Sequence, residues 1–442
     1  MSMTTRILIA LGVGLVAGML VASLAPIALE PALLITRTVG SLWLDALRMT
    51  IVPMIFVLLV TGVGQTVGQA AGMGAAGGIA GRTLVLFAGL LLAAAVFGVV
   101  LMDLILTVFP IPYAAGASMR ARIAGGDVYA PVSPPAAEWV SGLIPTNPIA
   151  AAASGAIAPL VVFSLAFGFA ATRIAPASRV RLLEGLDATL QTLLIIVDWV
   201  LKAAPLGVAA LAFVAAAQTG LGAAGALLHY VVASSLFCAA LVVALYPLAV
   251  FGGRLSPIRF ARAAAPAQAV AFSTQSSVAT LPAMLAAAKA LGVPQPMVKV
   301  VLPLAVSLVR VGSAASIGAI ALYVARLSGM TLDPLQMALA AGLSAVVSIG
   351  AVGLPSQVSF VTLLSPVCLA VGAPLETLVL LMAVDAVPDA FRTVANVTGD
   401  ITAAAIMGRW KMDGALDGEA REQVASGVMV NGVEPLGEPR DH

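Results

Sequence analysis

Charged side chains are scarce in this chain: Asp, Glu, Lys and Arg make up 10% of its 442 residues, while 61% are hydrophobic and the mean hydropathy is +1.08. A soluble domain carries about 25% charged residues to cover its surface, so a water-soluble fold is excluded. Cysteine and histidine are scarcer still, at two each. Cys238 and Cys368 both fall in apolar segments, which leaves neither a disulfide framework nor a histidine–cysteine metal cluster. The formal net charge of +2 is not gathered into a basic patch, and that argues against nucleic acid as a partner. No nucleophile–base pair, metal cluster or cofactor motif stands out, so the chain is not read as an enzyme. The glycine-rich runs at 71–81 and 219–225 lack any phosphate-binding context and mark loops.

What the chain does have is long apolar runs, near 7–27, 41–68, 83–109, 143–171, 187–217, 225–251, 297–327 and 375–408. Each is long enough to cross a bilayer core of about 30 Å. The first follows Arg6 and is too long for the core of a signal peptide, so it is read as a span. Two further stretches, 257–290 and 334–372, are apolar but broken by Ser, Gly and Pro, and read as re-entrant. Non-helical backbone is tolerated at membrane depth only where protein buries it or a cavity adjoins it. That makes Ser276-Ser277 and the run Gly350 to Pro355 site candidates. Ordinary kinks would account for one such segment; two, each preceding a polar-bearing span, point to a site between paired repeats. The expected fold is an all-α polytopic membrane protein with eight transmembrane helices and two re-entrant helical hairpins. Basic residues such as Arg173, Arg179, Arg181, Arg254, Arg259 and Arg262 fall on one side if both termini are cytoplasmic, which is the orientation expected in the cell's inner (plasma) membrane. Residues 112–138 then form an extracellular loop, and 411–442 a disordered cytoplasmic tail.

The last apolar run carries a polar stripe, D-x-x-x-D-x-x-R-T-x-x-N-x-x-x-D, made by Asp385, Asp389, Arg392, Thr393, Asn396 and Asp400. Successive members fall on one face of a helix with about 3.6 residues per turn. A charge at mid-bilayer costs roughly 2.5–3.5 kcal/mol, so this face meets something polar rather than lipid. A zwitterionic solute with an extra carboxylate needs both a cationic and an anionic partner, and Arg392 and Asp389 offer both. The blander account is that these two, at i and i+3, neutralise each other.

Three stretches carry a specific resemblance: A-F-S-T-Q-S-S-V-A-T-L-P (271–282), I-G-A-V-G-L-P (349–355) and V-D-A-V-P-D-A-F-R-T-V-A-N-V-T-G-D-I-T (384–402). They resemble the two re-entrant hairpins and the eighth span of the glutamate transporter family, the dicarboxylate/amino acid:cation symporters. I-P-T-N-P (144–148) and A-P-L-G-V (204–208) are similar to its fourth and fifth spans. The resemblance implies a homotrimer embedded in the lipid bilayer and an elevator motion. Scaffold spans would lie mainly within 1–255, the third span (about 83–109) moving with a transport core at 256–410. It also implies that Arg392 pairs with the substrate's side-chain carboxylate, that Asp389 holds the amino group with help from Thr393, and that Asn396 and Ser277 bind the α-carboxylate, with Ser276 and Gly353 at the hairpin tips. Members for neutral amino acids lack the Arg, and succinate-type members lack the Asp at 389. Acidic amino acids, aspartate or glutamate, are therefore the favoured substrates. A sodium-coupled carrier of four-carbon dicarboxylates or neutral amino acids is the alternative, and a non-transporting amino-acid sensor is the alternative of another class. No cofactor is expected beyond Na⁺ or H⁺ as coupling ion.

The chain departs from that family in its seventh span. Family members carry N-M-D-G-T there, with the Asn and Asp serving a sodium site; here the residues are Val309, Arg310, Val311, Gly312 and Ser313. Valine side chains offer no oxygen to a hard cation, and the third span from Leu84 to Met102 has no hydroxyl to compensate. Asp400, with Asn396 and Ser348, remains as the candidate metal (sodium) site, and Arg310 is its candidate replacement. Three aspartates (385, 389, 400) against two arginines (310, 392) leave a formal charge near −1, so transport is expected to be sodium-independent or proton-linked; the alternative is that Arg310 snorkels or pairs structurally with Asp400 or Asp385 while sodium still drives transport through Asp400. Gln275 stands where many prokaryotic members have Arg, and Val278 and Val358 replace smaller residues at the hairpin tips. Pro388 is expected to kink the eighth span beside Asp389. His229 is read as a satisfied scaffold histidine.

Overall fold

The computed structural model describes residues 3–72, 77–112, 144–154, 156–219, 221–349 and 356–425, and helix is the only regular secondary structure among them. Runs of alanine and leucine propagate helix well. They form α1 (Met3–Leu24), α2 (Pro26–Gly72), α3 (Gly77–Val108), α4 (Pro148–Ala153), α5 (Ile157–Ala171), α6 (Pro176–Lys202), α7 (Ala204–Thr219) and α8 (Leu221–Gly253). The C-terminal half supplies α9 (Pro257–Thr274), α10 (Ser277–Ala290), α11 (Gln295–Leu308), α12 (Val311–Leu327), α13 (Pro334–Ile349), α14 (Ser356–Val371), α15 (Leu375–Met382) and α16 (Ala386–Ala425).

Several boundaries differ from the sequence expectation. α2 continues unbroken through 28–40, which the apolar runs had left between two spans. The run 187–217 is split, because α6 ends at Lys202 and α7 leaves it at an angle of 53°. Asn147 caps α4 by accepting from the N–H groups of Ile149 and Ala150 at 3.0 and 3.1 Å. Pro388 does not kink a continuous eighth span. The helix is interrupted before it, at 383–385, and Pro388 lies in the first turn of α16, where its missing N–H is no loss. α16 itself runs on to Ala425, into the segment expected to be disordered from 411. Residues 113–138, residues 350–355 with Gly353, the side chain of Val358 and residues 426–442 lie outside the described residues.

Packing sorts the helices into two groups. In one, α1 lies along α7, and α2 is wrapped by α5, α6 and α7. In the other, α16 is the hub: α8, α9, α10, α11 and α12 all pack on it, while α3 lies along α12 and α13. α8 packs mainly on α16. α12 is buried along its whole length except at Arg326. Outward faces are apolar, with Leu20, Val100 and Val243 50, 58 and 68% exposed. Such surfaces suit lipid rather than water. By length and composition, five described spans can cross a membrane, or six if the bent α6–α7 pair counts as one. The chain is thus an all-helical, multi-pass membrane protein. The eight expected crossings are reached only by adding the interrupted segments α4–α5 and α15–α16.

Candidate functional site

Three helix interruptions meet around the start of α16. At 275–276 the first hairpin turns between α9 and α10, with Gln275 left-handed (φ 52°) and Ser276 capping α10 through a bond from the Ala279 N–H at 3.2 Å. At 309–310 the backbone leaves the helix between α11 and α12. At 383–385 it breaks between α15 and α16. Gln275 Nε2 donates to the Ala386 carbonyl at 3.1 Å, tying the hairpin turn to the first residue of α16. Phe272 and Phe391 pack edge to face, 5.2 Å apart, beside it. Gly312 lets α12 approach α16 closely: a Cβ there would sit 2.4 Å from the Arg392 carbonyl oxygen and 3.1 Å from Asn396 Oδ1.

Arg392 is the centre of the charged cluster. Its Nη1 and Nη2 donate end-on to the two oxygens of Asp385 at 3.0 and 2.9 Å, and Nη1 also donates to Asp389 Oδ1 at 2.9 Å. Tyr230 of α8 donates to Asp385 Oδ1 at 2.5 Å. A guanidinium has five N–H donors in a rigid fork, so the side-on edge made by Nε and the second hydrogen of Nη2 is left over. Nε is buried without a partner. The i, i+3 ion pair foreseen between Asp389 and Arg392 is present, but Asp385 holds the guanidinium with two bonds rather than one.

Asp389 and Arg392 line a cavity of about 50 Å³ together with Gln275, Arg310, Ser313 and Ser359. Arg310 therefore reaches the space beside Arg392 instead of turning to the protein surface. It acts electrostatically on Asp389, Arg392 and Asp400. Ser276, Ser277, Thr393, Asn396, Asp400 and Ser348 are not among the residues that line it, and Gly353 lies outside the described residues. Thr393 Oγ1 donates to the Asp389 carbonyl at 2.9 Å. Asn396 accepts from the Ser313 N–H at 3.1 Å and faces its hydroxyl at 3.4 Å, satisfying a donor that the break at 309–310 releases. Ser277 Oγ is buried without a partner, as is Asp400 Oδ1, Asp400 being 1% exposed. Ser348 bonds the Ala345 carbonyl of its own helix, α13, at 2.8 Å. Val309 and Val311 are buried, and Val311 packs where a Cβ on Gly399 would come within 2.9 Å. Buried apolar side chains thus flank Arg310 on both sides.

Sequence reading missed Tyr230, and counted Asp385 in the charge of the site without identifying it as the partner of Arg392. His229, by contrast, has partners on both nitrogens, the Tyr323 hydroxyl at 3.0 Å and the Phe109 carbonyl at 3.2 Å.

The profile of the sodium:dicarboxylate symporter family matches residues 3–410. The chain belongs to that family. Among its relatives, it is 28% identical over 387 residues, 84% of each chain, to the proton/glutamate-aspartate symporter of Escherichia coli (strain K12). It is 25% identical over 390 residues to the proton/sodium-glutamate symport protein of Bacillus caldotenax, covering 85% of this chain and 87% of that one. Against the C4-dicarboxylate transport protein of Deinococcus deserti the identity is 23% over 441 residues, 98% of this chain and 94% of the other. This member of the symporter family is accordingly a membrane transport protein and not an enzyme.

Proposed function

We propose that this symporter carries acidic amino acids across the cell membrane and that Arg310 stands in for part of the mobile cation its relatives use. The observation that supports it is that two guanidiniums, those of Arg310 and Arg392, line one cavity together with Asp389. Arg392 lines the cavity and has donors left over once Asp385 and Asp389 are bonded, which a substrate carboxylate can take. Asp389 then faces the substrate ammonium. The relatives named for glutamate and aspartate agree with this chemistry. Arg310 supplies a fixed positive charge within electrostatic range of Asp400, and Val309 and Val311 offer a sodium ion no side-chain oxygen. A carboxyl as buried as Asp400 is the candidate carrier of a coupling proton. The arrangement is read as a homotrimer with both termini cytoplasmic and an elevator-like transport core.

A second reading has its own observation. Asp389 already bonds Arg392, and with Arg310 the cavity offers two cations to one substrate, as a four-carbon dicarboxylate would need. The relative in Deinococcus deserti carries that name. Uptake of labelled aspartate, glutamate and succinate into proteoliposomes, with and without a sodium gradient, separates these readings and also tests for the non-transporting sensor. Uptake of the amino acids that ignores sodium, and that Arg310→Met impairs, is the expected result. A strict sodium requirement in the wild type overturns the role given to Arg310, and absence of both uptake and counterflow overturns transport.

A further inference from the structure

Tyr230 lies in the first third of the apolar helix α8, 155 residues before Asp385 in the chain, and has no exposed surface. Its ring is fixed by an edge-to-face contact with Tyr323 of α12 at 5.3 Å, and Tyr323 is itself held by the Ala226 carbonyl at 3.2 Å and by His229. The hydroxyl therefore arrives from a rigid support. It meets Asp385, which lies in the turn between α15 and α16, where no helix fixes the side chain's direction. Asp385 accepts this one bond on Oδ1 and spends both oxygens on the end-on edge of Arg392.

We propose that Tyr230 is a positioning residue for substrate selectivity: through Asp385 it holds the end of the Arg392 guanidinium and so fixes its orientation at the cavity where a substrate carboxylate binds. The proposal rests on the function given above. A guanidinium held by one carboxylate alone can rotate about its last torsions and lose the aligned pair of donors that distinguishes a carboxylate from an amide. Asp389 cannot do this alone, because it gives Arg392 a single bond on Nη1. The anchor must come from a group outside the cavity, and Tyr230 is not among the residues that line it. Helix α8 thus contributes to recognition without touching substrate.

The test compares Tyr230→Phe with the wild type in the full-length purified protein, measuring the dissociation constants of aspartate and of asparagine, its neutral isostere, and KM and maximal rate for aspartate uptake. Loss of one charge-assisted hydrogen bond should weaken aspartate binding by about tenfold or more. Asparagine binding should change little, so the ratio of the two constants falls, and KM rises more than the maximal rate drops. A ratio equal to that of the wild type, even with a lower melting temperature, would make the hydroxyl a merely structural group and overturn the proposal. Incorporating 3-fluorotyrosine at position 230 keeps the hydroxyl and ring; it should retain the wild-type ratio, and losing it as the Phe variant does would assign the effect to ring packing instead. Failure of the wild type to bind either aspartate or succinate would instead refute the substrate reading beneath the proposal.

Discussion

Asp385 and Asp389 are four residues apart and both pair with Arg392, yet the structure gives them different work, and that difference can be measured. Asp385 has a side chain 5% exposed, accepts three hydrogen bonds and does not line the cavity. Asp389 is 13% exposed, bonds Arg392 once and does line it. Changing either to Asn keeps the shape and removes the charge. In Asp385→Asn a buried pair is broken, at a cost of about 3–5 kcal/mol, and the new NH₂ faces N–H donors of Arg392 or the hydroxyl of Tyr230. For a chain of this size about 1 kcal/mol shifts a melting midpoint by roughly 1–2 °C, so a fall on the order of 5 °C is expected. Asp389→Asn leaves the end-on pair with Asp385 intact and should melt close to the wild type. It removes instead the acceptor for a substrate ammonium, worth about 1.5–3 kcal/mol, or roughly 10- to 150-fold in aspartate affinity. Succinate has no ammonium and should keep its affinity. The assay is thermal melting of purified protein in detergent together with binding of labelled aspartate and succinate. Equal destabilisation by the two variants, or an Asp385→Asn protein that melts like the wild type, would refute this division between anchor and ligand-facing carboxylate.

Gly312→Ala should loosen the contact between α12 and α16, because its Cβ would lie 2.4 Å from a backbone oxygen and 3.0 Å from the Ala395 Cβ. Overpacking of this kind costs about 1–3 kcal/mol and should show as a lower melting midpoint; an unchanged midpoint would mean the helices part without cost. Asn396→Ala strips the acceptor from the buried Ser313 N–H, worth about 1–3 kcal/mol. It should lower stability and leave aspartate affinity nearly intact. The opposite pattern, weak binding with wild-type melting, would show the amide turned toward the substrate, as the family resemblance implies.

The polar stripe was legible because helical periodicity is local: steps of three and four residues bring Asp389, Arg392, Asn396 and Asp400 to one face whatever the rest of the chain does. What those side chains touch was not legible in the same way. Asn396 turns to Ser313, 83 residues earlier, because the break at 309–310 leaves a backbone donor there. Pro388 permits either a kink or a helix start, and the choice belongs to how α15 and α16 pack. Hydropathy also misled at α2, where Glu30 and Arg37 interrupt the apolar run without interrupting the helix. Tyr230 gave no periodic signal at all. A tyrosine in an apolar run serves equally well as packing or as anchor, and only its distance to Asp385 separates the two.

The fixed-cation reading makes its strongest prediction when the substitution is reversed. With Arg392 and Asp385 satisfied by each other, Arg310, Asp389 and Asp400 carry the remaining charge, which is near −1. Arg310→Met moves it to about −2, a charge that low-dielectric surroundings penalise heavily. Added sodium should not rescue that single variant, because Val309 and Val311 still present no oxygen. The triple change Val309→Asn, Arg310→Met and Val311→Asp restores both the family's donors and its negative charge, in side chains of nearly the same volume. It should convert uptake that ignores sodium into uptake that requires it, read as aspartate accumulation against stepped sodium concentrations at constant ionic strength. Wild-type uptake that already depends on sodium would refute the reasoning, and so would a folded triple variant as indifferent to sodium as its parent, because the guanidinium and the ion would then not occupy equivalent electrostatic roles.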